Sequence, residues 1–251
     1  MAEQTINLDG LRVEVRSAVG ALAARLAKDA GDNLLNLAVV GSALTADFHG
    51  RRSDINTVLV VGQRSHELLK LLASYGKEMG RQRLHAPLLM TEEYIQDSRE
   101  VFGVEFLDFQ LNHYLVLGPD PFAGLSFEKN NVRLQCEREL KAALIELRQG
   151  YIRSGGQPKP VGQLLMGCLG KLLPLLRAML WLKDVPRVPE AARTVGEAAR
   201  VFGFDAAALV PLLALRAAGK LPAANEIELM FPEVYRIIDH LAHVADGTKV
   251  I

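Results

Sequence analysis

The sequence predicts an α/β domain followed by an all-α helical bundle, on three observations. Short apolar, β-branched runs alternate with helical patterns up to about residue 118. A Pro119-Asp120-Pro121 turn then interrupts the chain. Beyond Phe127 the strand signals vanish and only helical periodicity remains. The expected units are residues 1–122 and 123–251, each long enough to bury a core.

The elements follow in order. Leu11, Val15, Val19, Leu22 and Leu26 recur at helical spacing, so residues 11–29 read as an amphipathic helix. Leu35 to Val40 is an apolar run dense enough for a strand buried on both faces, and Gly41-Ser42 stops it. After a polar loop, Ile55 to Val61 is a second strand. Residues 65–79 form a helix with Leu68, Leu69, Leu72 and Tyr75 on one side. His85 to Met90 reads as a third strand, and Thr91-Glu92-Glu93 opens a short helix with an N-cap and acidic first turn. Val104 to Phe109 reads as a strand carrying charged residues, and Leu115 to Gly118 as a further extended piece. The bundle begins with a long helix over 128–153, stopped by Ser154-Gly155-Gly156. A very apolar helix over 160–183 contains Pro174, where a kink is expected. Helical patterns over 189–202, 205–218 and 226–245 complete it.

Composition narrows the function classes. Among 251 residues, 29 Lys and Arg balance 29 Asp and Glu. A neutral chain lacks the positive surplus that general nucleic-acid binding requires. No apolar run reaches the length needed to cross a bilayer on this reading, and the N-terminus has no signal-peptide pattern, so a cytoplasmic protein without membrane attachment is expected. Cys136 and Cys168 both fall in helical segments and read as semi-buried free thiols, not as a disulfide or a zinc site. The six histidines form no zinc-ligand spacing. The apolar stretch from Leu164 to Leu182 suits a core helix or a homodimer face.

Chemistry concentrates in the segment from Val39 to Asn56. Gly41-Ser42 at the end of a strand lets the backbone approach a phosphate, which N–H groups and the hydroxyl can cradle. Asp54 and Asn56 are two apart on the next strand and so point to one face. Carboxylates so placed hold Mg²⁺, which neutralises phosphates and activates a hydroxyl. The stretch resembles the nucleotidyltransferase superfamily, which includes DNA polymerase β, the minimal nucleotidyltransferases and the aminoglycoside nucleotidyltransferases. Their motif is Gly-Ser, a loop of about a dozen residues, then Asp-x-Asp, with a third acid on a later strand. The resemblance covers about residues 31–118 and implies an α/β (α+β) domain with a mixed sheet. On it Gly41 and Ser42 hold the triphosphate of an NTP, ATP being the expected one. Asp54 and Glu105 are the catalytic and metal-holding acids, with Asp108 the alternative to Glu105. The reaction implied is Mg²⁺-dependent transfer of a nucleoside monophosphate to a small-molecule or protein acceptor that the sequence does not name.

This chain departs from the motif in two places. Asn56 stands where the second acid belongs, and an amide brings no charge to a hard dication. Thr45 and Ala46 replace the loop's usual Arg-Gly. Positioning and electrostatics supply nearly all of phosphoryl-transfer catalysis, so the alternative is a non-catalytic nucleotide-binding or interaction module, a pseudoenzyme. Arg51 and Arg52 are loop cations within reach of phosphates or solvent, and His113 precedes the last extended piece. Arg236, His240 and His243 share one helical face, a loose match to an RNase pair.

Overall fold

The computed structural model describes residues 5–50 and 53–249. The chain divides into two compact units, one of residues 1–99 and 109–126 and the other of residues 100–108 and 127–251. The sequence reading drew a single line after residue 122; the structure instead assigns 100–108 to the helical unit.

The α/β unit contains a four-stranded mixed sheet. Its strands are β1 (Leu34–Val40), β2 (Asn56–Val61), β3 (Leu88–Met90) and β4 (His113–Leu117), in the order β3-β2-β1-β4. Strand β1 runs antiparallel to both β2 and β4, while β2 and β3 are parallel. Helix α1 (Val13–Asp29) and helix α2 (His66–Arg81) place Val19, Leu22, Leu68 and Leu72 against Leu37, Val39, Leu59 and Val61. Val58 and Val60, which alternate with those β2 residues, are also fully buried. Both faces are therefore covered, as the continuous apolar runs require. Ser65 caps α2 by accepting from the Leu68 N–H, and Thr91 caps the short helix α3 (Glu92–Asp97) by accepting from that of Tyr94. The Tyr75 hydroxyl donates to Asp29 Oδ2 at 2.7 Å, with the Arg25 guanidinium 4.0 Å from its ring centroid.

The segment from Val104 to Phe109 corrects the sequence reading. It is not a strand but part of helix α4 (Gly103–Leu111). The alternation of charged and apolar residues suggested period two, yet the buried residues are Gly103, Val104, Phe106 and Leu107, the stripe of a helix. No N-cap residue announces this helix, because its cap is tertiary. Gln135 Oε1 accepts from the Val104 N–H at 2.9 Å.

The helical unit is built on α5 (Lys129–Ser154), α6 (Pro158–Leu182), α7 (Ala191–Phe202), α8 (Leu209–Ala218) and α9 (Ala224–Gly247). Pro174 lies inside α6 without ending it. Helix α6 is long and apolar enough to span a membrane by length and composition, contrary to the expectation that no such run exists. Its most apolar window is 61% buried, and Leu165, Leu169, Leu172 and Leu176 join Leu140, Leu147, Ile238 and Leu241 in one core. An α-helix apolar nearly all round has to be covered, and here the neighbouring helices cover it.

Candidate functional site

Three strand ends meet at one edge of the sheet. Val40, the last residue of β1, pairs with Asn56 at the start of β2 and with His113 at the start of β4. The chain must leave this crowded end sharply. Gly41 does so at φ +77°, a left-handed conformation that other residues adopt only with strain, and Gly41–Leu44 then closes a single 3₁₀ turn.

The turn is pinned from three directions. Asn112 Nδ2 donates to the Gly41 carbonyl at 2.9 Å, and Arg12 Nη2 donates to that of Thr45 at 2.6 Å. The Thr45 N–H and hydroxyl both donate to the Ser42 carbonyl, at 3.0 and 3.2 Å. Thr45 thus spends its side chain on the turn itself, and Arg12 comes in from outside the loop to steady it. A Cβ on Gly41 would stand 3.9 Å from Asn56 Nδ2, so the Asn56 amide lies against this turn. Among the described residues neither the Ser42 hydroxyl nor the Asn56 amide has a hydrogen-bond partner. Both remain available to a ligand.

Asp54 sits just before β2 and faces an arginine and a histidine. Its Oδ2 is 3.2 Å from His85 Nε2 and its Oδ1 is 3.7 Å from Arg83 Nη2. The backbone sets this up. The Ile55 N–H donates to the Arg83 carbonyl at 2.8 Å, and the His85 N–H donates to the Ile55 carbonyl at 2.9 Å. Residues 83–85 therefore run beside Ile55 as a parallel bridge, with Leu84 buried and its two neighbours turned the other way. Arg83 has φ +57° at the end of α2. The Arg83 N–H reaches the Gly80 carbonyl and the Leu84 N–H that of Met79, the helix-ending pattern in which glycine is the usual occupant.

Gly41, Ser42, Asp54 and Asn56 thus gather in the α/β unit. Glu105 and Asp108 lie on α4, within the helical unit's part of that helix. Glu105 Oε2 accepts from Gln135 Nε2 at 2.7 Å. Asp108 accepts both arms of the Arg177 fork, from Nε at 2.5 Å and Nη2 at 3.1 Å. No group of three or more His, Cys, Asp or Glu side chains suited to a metal occurs among the described residues. The donor set around Asp54 does not fit Mg²⁺. One carboxylate and one amide supply too little negative charge, and an arginine faces the same carboxylate.

Other candidates resolve locally. His113 Nε2 is 3.1 Å from Asp120 Oδ2, and its Nδ1 is 2.8 Å from the Phe109 carbonyl oxygen. His240 Nε2 lies 2.7 Å from the Phe202 carbonyl oxygen, Arg236 pairs with Glu233 and His243 is exposed, so these three do not converge. Arg51 and Arg52 lie outside the described residues. Sequence reading missed Arg12, Arg83 and Asn112. Only Arg83 carried a signal, its place at the end of a helix beside the third strand, and that signal did not reveal its partner.

No protein-family model and no curated protein matches this chain. Among solved structures it is similar to spectinomycin adenyltransferase AAD(9) from Enterococcus faecialis, a structure determined with ATP and spectinomycin. The TM-score is 0.55 at 10% identity, over 89% of this chain and 98% of that one. The likeness shows the fold: a nucleotidyltransferase-like α/β unit with a mixed sheet, followed by a helical region.

Proposed function

We propose that this chain, a nucleotidyltransferase-like fold, binds a nucleotide at the Gly41–Ser42 end of its sheet without a divalent cation and does not turn it over at an enzymatic rate. The observation that carries this reading is the pairing of Asp54 with Arg83 and His85. A guanidinium beside a carboxylate offsets part of the negative potential that draws a dication, and Asn56 adds no charge to restore it. The same side chains can donate to a phosphate directly, Arg83 through its planar fork. The pinned turn leaves the Ser42 hydroxyl for a phosphate oxygen and the Asn56 amide as a donor beside it. ATP is the first nucleotide to try, because the structurally similar adenyltransferase was determined with it.

Calorimetric titration with ATP and GTP, in Mg²⁺ and in EDTA, tests the reading. Binding is expected in EDTA, no weaker than in Mg²⁺, and Ser42→Ala should weaken it. Binding that requires both Mg²⁺ and Asp54 would overturn it. The second reading, Mg²⁺-dependent transfer to a small-molecule or protein acceptor, rests on Gly41, Ser42 and Asp54 standing at one sheet end. Asn56→Asp, which supplies the second carboxylate, should then create or raise NTP-dependent transfer.

A further inference from the structure

In the helical unit Arg187 forms no ion pair with a carboxylate among the described residues. Arg187 lies in the segment Val185-Pro186-Arg187-Val188-Pro189, which connects α6 to α7. This loop is held on both sides of the arginine. The Val185 N–H donates to the Leu180 carbonyl at 3.0 Å, and the Thr194 hydroxyl donates to that of Val188 at 2.9 Å. Two prolines restrict the backbone further.

Arg187 is half-buried, and one of its five N–H donors is accounted for, by the Leu107 carbonyl at 2.8 Å. The nearby acid is Asp108, but Arg177 already engages both of its oxygens in a bidentate fork, with both side chains largely buried. Asp108 therefore spends a lone pair of each oxygen on Arg177, and Arg187 forms no ion pair of its own among the described residues. Burial holds Arg187 below the usual arginine range, Asp108 partly offsets this and Arg177 adds to it. A half-buried cation with unused donors on a pinned loop is stabilised by an anion that brings acceptor oxygens.

We propose that Arg187, with the Arg177–Asp108 pair beside it, forms an oxyanion site in the helical unit that accepts a phosphate-type group. The loop positions the guanidinium before the anion arrives, so little ordering cost is left for binding. The site is independent of the Gly41–Ser42 turn and of whether that turn takes a nucleotide.

The test uses the full chain and inorganic phosphate. Thermal melts are run in phosphate and in chloride at matched ionic strength, on wild type, Arg187→Gln and Ser42→Ala. The expected result is a phosphate-specific rise in Tm that persists in Ser42→Ala and is reduced in Arg187→Gln. Arg187 is only half-buried, so Arg187→Gln should fold. Wild-type crystals soaked in tungstate provide the variant-free measurement, with anomalous density expected beside Arg187. Absence of any phosphate-specific shift in wild type, an equal shift in Arg187→Gln, or tungstate bound only elsewhere would each overturn the proposal.

Discussion

At Arg83 a backbone preference and a side-chain role conflict. The residue occupies a left-handed helix-ending position at φ +57°, where a non-glycine side chain costs about 1–2 kcal/mol. The side chain gained there is the one that faces Asp54. Strain of this kind tends to persist where a side chain has work to do. Arg83→Gly is therefore expected to leave Tm unchanged or higher while weakening nucleotide binding in EDTA. A lower Tm with unaltered binding would make Arg83 a structural residue only. Tyr75 offers a second residue-scale prediction. Burial pushes its phenol up to about 12, and the hydrogen bond to Asp29 and that carboxylate's charge push the same way. With the folded value raised above the ordinary 10, the neutral phenol's contribution is complete below pH 10 and is lost as pH rises toward 12. Denaturant midpoints measured from pH 9 to 12 should fall more steeply for wild type than for Tyr75→Phe.

Among the elements, α4 shows how one wrong period misplaces two functional candidates. Read with period two, Glu105 and Asp108 fell on opposite faces of a strand. On the helix they are three apart and each is committed, to Gln135 and to Arg177. The helix starts where it does because Gln135 reaches in from α5, with one amide arm accepting from the Val104 N–H and the other donating to Glu105. Gln135→Ala should cost about 1–3 kcal/mol, the usual penalty for leaving buried polar groups unmet. Gln135→Glu keeps the capping oxygen but sets a second carboxylate against Glu105, so its loss should grow as pH rises through the carboxylate range. Urea unfolding of the two variants across that range checks both. Equal stability of wild type and Gln135→Ala would mean that α4 needs no tertiary cap.

For the whole molecule, the two thiols report on how tightly the helical core is closed. Cys136 and Cys168 are buried on α5 and α6, and burial pushes both up to about 12. Neither ionises at neutral pH, and neither is reachable without opening the core. Ellman's reagent should therefore label the native protein only at the rate of unfolding, and label both thiols at once in denaturant. Fast labelling of the native chain would show a core looser than this packing. The same core explains α6. Its composition alone satisfies a membrane-span test, and the other helices of the unit bury that apolar surface.

Much of the fold was legible because its causes are local. The cap at Thr91, apolar runs for β1 and β2, and the Gly41-Ser42 stop after β1 act over a few residues, and each appears where the sequence placed it. Gly41, Ser42, Asp54 and Asn56 were likewise legible as a group, because two antiparallel neighbouring strands joined by a loop bring their linked ends together. The rest depends on partners distant in sequence. That α4 is a helix depended on a glutamine 31 positions away from Val104. That Asp54 faces Arg83 and His85 depended on how residues 83–85 bridge to Ile55. Propensity and spacing identify which groups are available to a site, but their charge environment is a sum over whatever the fold brings near them, and only the tertiary structure sets that sum.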